Sequence, residues 1–253
     1  MPELAVCIIY IFIFLYGIVI GSFLNVCIYR LPKRESIVPG SHCMSCGHRL
    51  RWYDLFPVFS YILLGGRCRY CKEKVSVQYP LIEALNGILY IIIFMANGFC
   101  FQSVILCLMT SALVVICLID ERTYEIPLPC NIFIGILGVV WTIADYQNLS
   151  LHLIGLVCVS LPLYILYFVS GGRAIGGGDI KLMAAAGLLT GWKNILLGFF
   201  LACIIGAFCH IIRMKLTKAE HVLAMGPYLS IAVFITSLWG EQMIGWYLGC
   251  LGV

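Results

Sequence analysis

Charge is what this sequence has least of. Its 253 residues include 16 Lys and Arg and 12 Asp and Glu, against 62% hydrophobic residues. That is too little polar surface to cover a water-soluble fold, so a soluble globular domain is excluded and a bilayer is the solvent to reason with. Also missing is a basic segment ahead of the first apolar run. Glu3 stands there, and no small-residue cleavage site follows, so the run from Leu4 to Tyr29 reads as a retained helix. There is no internal repeat, no low-complexity segment, no dinucleotide-type glycine motif, and nothing that points to a nucleic-acid partner.

What is present is a series of apolar runs broken by one polar island, from about Leu31 to Gln78. A hydrocarbon core about 30 Å thick takes roughly 20 apolar residues per helical crossing. After the first run, spans are expected near Tyr79 to Ala96, Phe101 to Asp120, Pro129 to Ala144, Leu151 to Ser170, Asp179 to Thr190, Ile195 to Ile212 and Met225 to Tyr247. The expectation is an all-α polytopic membrane protein of about eight helices. The basic residues agree with it. Nine lie in or beside the island (Arg30, Lys33, Arg34, Arg49, Arg51, Arg67, Arg69, Lys72, Lys74). Arg122, Arg173, Lys181, Arg213, Lys215 and Lys218 fall in loops on the same side, leaving Lys193 as the exception. By the positive-inside rule the island is cytoplasmic and both termini are external. The span beginning at Asp179 is short and follows glycines, so it is expected to be tilted, broken or re-entrant.

The island holds two Cys-x-x-Cys pairs, Cys43 with Cys46 and Cys68 with Cys71, 21 residues apart. Four thiolates at this spacing close a structural zinc site with no open catalytic position. Two redox pairs or disulfides are the alternative, and a cytoplasmic location argues against disulfides. His42 and His48 are substitute ligands in principle. So short a segment cannot bury a large core, and a metal would supply the stability that its apolar residues cannot. The other ten cysteines are scattered along apolar spans, where Cys behaves as a small hydrophobe.

Three acids, Glu83, Asp120 and Asp179, lie at or inside the cytoplasmic ends of apolar helices, where a carboxylate is costly unless paired, protonated or functional. Asp120 ends the run Leu113 to Ile119, and Asp179 follows Gly176, Gly177 and Gly178. At similar depth the two aspartates could meet and share a proton, as an aspartyl protease requires. Equally, Asp179 could cap a helix and Asp120 be an ordinary interfacial charge. The glycines before Asp179 would allow unusual backbone angles and close approach. Glu83 could orient a helix, bind basic residues of a substrate, contact a cofactor, or be paired with a nearby Arg or Lys. Lys181 could steady the dyad or snorkel to the headgroups. Met225 to Tyr228 reads as a helix start, since proline suits a first turn. His152, His210 and His221 carry no recognisable constellation.

At this point the residues resemble a family, the type IV prepilin leader peptidases, along nearly the whole chain. Gly21 to Pro32 is similar to the family's first-helix signature. Glu35 to Cys43, Asp54 to Pro57, Gly66 to Cys71 and Tyr79 to Glu83 resemble its cytoplasmic domain. Asp120 with Ile126 and Pro127, and Gly176-Gly-Gly-Asp-Ile-Lys181, match its two catalytic segments. Arg34 stands where the family commonly has glycine, and Leu128 where a polar residue is usual.

The resemblance implies a membrane aspartyl endopeptidase with Asp120 and Asp179 catalytic. It would remove the leader of type IV prepilins or pseudopilins at the cytoplasmic face of the inner membrane. It further implies S-adenosylmethionine-dependent N-methylation of the new amine, linked to the cysteine-bearing domain. Three parts are expected: a first transmembrane helix at 1–30, a zinc-binding methyltransferase-associated domain at 31–78, and a transmembrane peptidase domain at 79–253. The rivals are a peptidase that has lost methyl transfer, and a small zinc-regulated transporter with the three acids as its ion path.

Overall fold

A computed structural model describes residues 2–216 and 223–251. Lys218 and His221, both considered above, lie outside the described residues. Helices occupy each of the eight expected positions, and among the described residues the additions are a short α-helix in the island and two single 3₁₀ turns, Trp52–Asp54 and Tyr146–Asn148. The α-helices are α1 (Pro2–Arg30), α2 (Phe59–Leu63), α3 (Gln78–Asn97), α4 (Phe101–Thr123), α5 (Leu128–Ala144), α6 (Leu149–Cys158), α7 (Ser160–Val169), α8 (Gly177–Thr190), α9 (Trp192–Leu216) and α10 (Gly226–Leu251). Among the described residues, five stretches are long and apolar enough to cross a membrane: Leu4–Arg30, Gln78–Asn97, Phe101–Thr123, Tyr146–Val169 and Trp192–Leu216. Leu128–Ala144 is apolar but shorter. Eight full crossings therefore exceed what helix length and composition establish. At 1.5 Å per residue, α8 is only about 21 Å long, short of a hydrocarbon core.

The fifth expected span is broken in two at Val159. Pro162 is the reason: it has no N–H to donate to the Cys158 carbonyl four residues back, and its ring crowds that turn. Elsewhere the helix ends follow local chemistry. Pro127 caps α5, α3 and α8 stop at Gly98 and Gly191 with φ of 74° and 79°, and α10 begins at Gly226 with Pro227 in its first turn.

The chain forms two compact units, Met1–Ser103 and Val104–Val253. In the first, α1 and α3 pack directly together, with the island between them in sequence. Gly17 and Gly21 form a small-residue seam one turn apart on α1. A Cβ on Gly17 would lie 2.7 Å from the Gly87 Cα, and one on Gly21 2.7 Å from the Glu83 Cα. Since lipid tails are as apolar as the side chains, such close packing, rather than hydrophobic burial, holds membrane helices together. Asn86, fully buried, donates from Nδ2 to the Gly17 carbonyl at 2.8 Å across the seam.

In the second unit, α8 packs against α5, α6, α7 and α9. Gly155 on α6 and Gly187 on α8 meet backbone to backbone, and neither has room for a Cβ. His152 is clamped there, Nδ1 against the Leu188 carbonyl at 3.0 Å and Nε2 against Asp145 at 3.2 Å, with the Thr142 hydroxyl donating to the same carbonyl. This constellation ties α6 to the end of α8, and sequence reading missed it.

The seam yields a stability test. Gly21→Leu overpacks it and costs about 1–3 kcal/mol. Gly249→Leu, at a position with open space around it, leaves stability unchanged. Thermal unfolding in detergent compares them, and equal midpoints would mean that α1 and α3 are not in close contact.

Candidate functional site

The second unit carries a pocket of about 240 Å³ lined by Asp120, Tyr124, Glu125, Ile126, Gly176, Gly177, Gly178 and Asp179. Both aspartates singled out from sequence thus border one space, near enough to interact electrostatically. Asp120, in the last turn of α4, is 4% exposed, and its Oδ2 accepts the Gly226 N–H at 2.8 Å. Gly226 opens α10, and a Cβ there would fall 2.7 Å from that same oxygen. Asp179 is half-buried in the first turn of α8, where a carboxylate complements the helix dipole. It reaches back to the N–H of Gly176, the residue capping its own helix, as in one half of a capping box. Each carboxylate is therefore held by one backbone N–H.

Of the two expectations for the glycines before Asp179, the unusual backbone angles are not found and the close approach is, at Gly178. Gly176 has φ −73°, open to any residue, and neither Gly177 nor Gly178 has a positive φ. Space is what matters. A Cβ on Gly178 would lie 2.8 Å from the Ile126 Cβ, while one on Gly177 would meet nothing within 4 Å. Asn131 of α5 donates to the Gly178 carbonyl at 3.2 Å and pins the loop. Tyr124, just past α4, takes φ 55°, an unusual conformation for an aromatic residue, and its N–H returns to the Asp120 carbonyl at 2.9 Å. Gly226 belongs to the Met225 to Tyr228 stretch that the sequence marked as a helix start, but its place beside Asp120 comes only with folding, and Asn131 and Tyr124 carried no sequence signal at all. Lys181 is exposed, two positions beyond Asp179 and so roughly 200° round the helix. Glu83 lies in the first unit. It is 6% exposed, its Oε2 accepts the Val58 N–H at 2.7 Å and the Ser22 hydroxyl bonds it as well, so backbone and hydroxyl rather than a basic side chain satisfy it.

The island builds the other centre. Cys43, Cys46, Cys68 and Cys71 bring their sulfurs within 4.8 Å of one another, and the Cys43 and Cys71 sulfurs are 3.8 Å apart. Zinc–sulfur bonds of about 2.3 Å in a tetrahedron put sulfurs about 3.8 Å apart, so the donor set fits such an ion. Two matching turns make it. The Cys43 N–H bonds the His48 carbonyl and the Gly47 N–H the Cys43 carbonyl, and Cys68, Glu73 and Lys72 repeat the pattern. Gly47 and Lys72, at equivalent places, share φ of 69° and 61°. A short structural repeat is thus present that the search for sequence repeats passed over. The Ser45 and Cys46 N–H groups around Cys43 hold its thiol down to about 6, with Cys46 contributing most. Cys71 goes the other way: although the Glu73 N–H lowers it, desolvation and the other three sulfurs push it up to about 12. A bound cation deprotonates coordinating thiols and removes that disparity. His48 stacks on Tyr70 with ring centroids 3.6 Å apart, outside the sulfur cluster. Asp54, whose carboxylate is held low against desolvation by Arg69 at 2.6 Å, braces the module.

Cys71→Ser removes one of four ligands. Bound metal, read by elemental analysis of the purified protein, should fall from about one ion per chain to nearly none. Metal content equal to the wild type would rule out a four-cysteine centre.

The comparisons agree with this division. Residues 15–97 match the bacterial peptidase A24 N-terminal domain, and residues 107–211 match the type IV leader peptidase family. The chain is 31% identical to the prepilin leader peptidase/N-methyltransferase of Pseudomonas putida, covering 93% of this chain and 92% of that one. The protein of the same name from Pseudomonas aeruginosa is 32% identical, with 94% and 93% covered, and that from Aeromonas hydrophila is 31% identical, with 93% and 92% covered. No solved structure matches significantly. Two family matches in order, together with relatives spanning almost the full length, make this multi-pass membrane protein a member of the type IV leader peptidase family.

Proposed function

We propose that this protein is an aspartyl endopeptidase that removes the leader of type IV prepilins or pseudopilins at the cytoplasmic face of the inner membrane. On this reading it then N-methylates the new terminus with S-adenosylmethionine. The observation that carries the proteolytic part is the shared pocket: two carboxylates border one space, each steadied by a glycine N–H. Two such groups share one proton. The ionised carboxylate takes a proton from water as its oxygen attacks the scissile carbonyl, and the protonated one gives its proton to the carbonyl oxygen. Collapse of the tetrahedral intermediate expels the amine, which takes a proton back. Gly176, Gly177 and Gly178 leave room for an extended substrate backbone, and Lys181 contributes charge at the membrane surface.

The cytoplasmic orientation rests on the basic residues, fifteen of sixteen of which fall on one side of the expected topology. A zinc ion would hold the island, through Cys43, Cys46, Cys68 and Cys71, as a staple for the domain at 31–78. Methyl transfer and the pilin substrate follow from the names of the relatives. The transporter alternative loses ground because Asp120 and Asp179 converge on one pocket, as a dyad requires, instead of following one another along a path.

Asp120→Ala and Asp179→Ala should each lower leader removal by roughly 10⁴-fold or more while the protein still inserts, because the pair acts as a unit. Cleavage of a co-expressed prepilin, followed by gel shift, measures this, and full processing by either variant would defeat the assignment. Because one carboxylate must be ionised and the other protonated, the cleavage rate should be bell-shaped in pH. A rate flat from pH 4 to 9, on the order of five units, would contradict the shared proton. Gly178→Ala, which collides with Ile126, should cost far more activity than Gly177→Ala, which meets open space. Equal activities would show that the loop is not close-packed during turnover.

A further inference from the structure

The first unit contains a second, larger cavity of about 560 Å³, within the range of sites for drug-sized ligands and cofactors. It shares no lining residue with the dyad pocket. Its lining includes Ser22 to Arg30 of α1, Tyr79 to Glu83 of α3, and island residues beside the cysteine cluster. Arg30, 8% exposed, donates to the carbonyls of Ser36 and Pro39 at 3.2 and 2.6 Å, which fixes one wall.

Two oxygen acceptors border this space. Glu83 is anchored by one oxygen to the Val58 N–H, and Val58 takes φ 60° there, a strained conformation for a β-branched residue. Asn25, 4% exposed, donates from Nδ2 to the carbonyls of Tyr79 at 3.2 Å and Gly21 at 3.4 Å, which fixes the orientation of its amide. Its Oδ1 is buried with no hydrogen-bond partner. A buried acceptor left unmatched costs about 1–3 kcal/mol, so a donor from a ligand is the natural complement. The cavity wall therefore holds a carboxylate residue and, in Asn25, a buried amide oxygen without a partner, together suited to a ligand that carries N–H donors and positive charge.

We infer that this cavity is the methyl-transfer site, in which Glu83 and Asn25 bind the new N-terminal amine beside S-adenosylmethionine. This rests on the methyl-transfer part of the proposed function and adds where that reaction occurs and which residues serve it. S-adenosylmethionine supplies, when bound, an electrophilic methyl group on a sulfonium. An N-terminal amine, with a pKa of about 7.7–8.0, arrives largely as an ammonium ion and must lose a proton before it can react. Glu83 takes that proton, and Asn25 Oδ1 accepts a second N–H and orients the lone pair. The amine forms the N–C bond as the C–S bond breaks, with the bonding pair going to sulfur, which becomes a neutral thioether. The positive charge ends on the methylated amine, and Glu83 passes its proton to solvent. Arg67 and Lys74, also in the lining, provide positive charge for the carboxylate of the methyl donor.

The test uses the full chain in detergent with a prepilin substrate and radiolabelled S-adenosylmethionine. Equilibrium dialysis reads binding, ultraviolet crosslinking with peptide mapping reads location, and mass spectrometry reads the methyl group on cleaved product. The wild type should bind and crosslink within residues 22–83. Glu83→Gln should still bind the donor, yet its cleaved product should carry a primary amine, with methylation slowed by about a hundredfold or more. Asn25→Leu should raise the KM for the amine more than it lowers kcat. Leu64→Trp, which fills the cavity, should lose donor binding while the cysteine centre keeps its metal. If the wild type cleaves but neither binds the donor nor methylates, the methyl-transfer reading fails and the cavity assignment with it. If it methylates while the crosslink maps outside residues 22–83, or while Glu83→Gln methylates at the wild-type rate, the cavity assignment alone is overturned.

Discussion

Everything in this protein depends on polar groups meeting backbone where a side chain is missing. In a setting that offers little water, a carboxylate or amide must find its partner within the protein, and the nearest partners are backbone N–H and C=O groups. Those are accessible only where helices come very close. Gly226 lets its N–H touch the Asp120 carboxylate, Gly17 lets Asn86 reach a carbonyl on the neighbouring helix, and Gly178 lets Ile126 press against the first turn of α8, which carries Asp179. The same absence of a Cβ that packs the helices also lets the buried Asp120 carboxylate find its partner, so packing and electrostatics cannot be varied independently at these positions.

The large-scale fold was legible because hydrophobic runs and basic loops are strong one-dimensional signals. All eight expected helix positions are helical, although fewer than eight helices have the length and composition of a crossing. The four cysteines were legible because two knuckles at metal-ligand spacing have few other uses, and their sulfurs do converge. What sequence could not give was the third dimension. The break at Val159 was in principle readable from Pro162, but an apolar run hides it. Asn25 looked like one residue of a helix signature until folding left its oxygen buried and unpartnered beside Glu83.

Arg34 shows a departure from pattern acquiring a physical meaning. The family commonly has glycine at this position, and here the residue adopts φ 56°, a conformation glycine takes freely and arginine takes at a cost. The chain turns back there, with the Arg34 N–H on the Leu31 carbonyl and the Glu35 N–H on the Arg30 carbonyl, so the turn persists without its preferred residue. The substitution thus bears on local strain in the turn after α1, whereas the cavity acceptors on α1 and α3 are set by the helix seam.

Among the described residues, the non-glycine residues with positive φ are Arg34, Val58, Lys72 and Tyr124. Each such conformation costs on the order of 1–3 kcal/mol and persists only where surrounding contacts over-determine it. Their positions are not scattered. Val58 presents its N–H to Glu83, Lys72 closes the second cysteine turn, Arg34 follows the helix that carries Asn25, and Tyr124 borders the dyad pocket. Strain in the described residues therefore collects around the cysteine cluster and the two cavities, while the long helices are regular. Regular helices provide rigid walls, and the short strained connections aim individual N–H groups and carboxylates into the spaces those walls enclose. Relaxing any one of these turns would leave the helices intact and misdirect a single polar group, which is how a structure held by packing can be precise about chemistry.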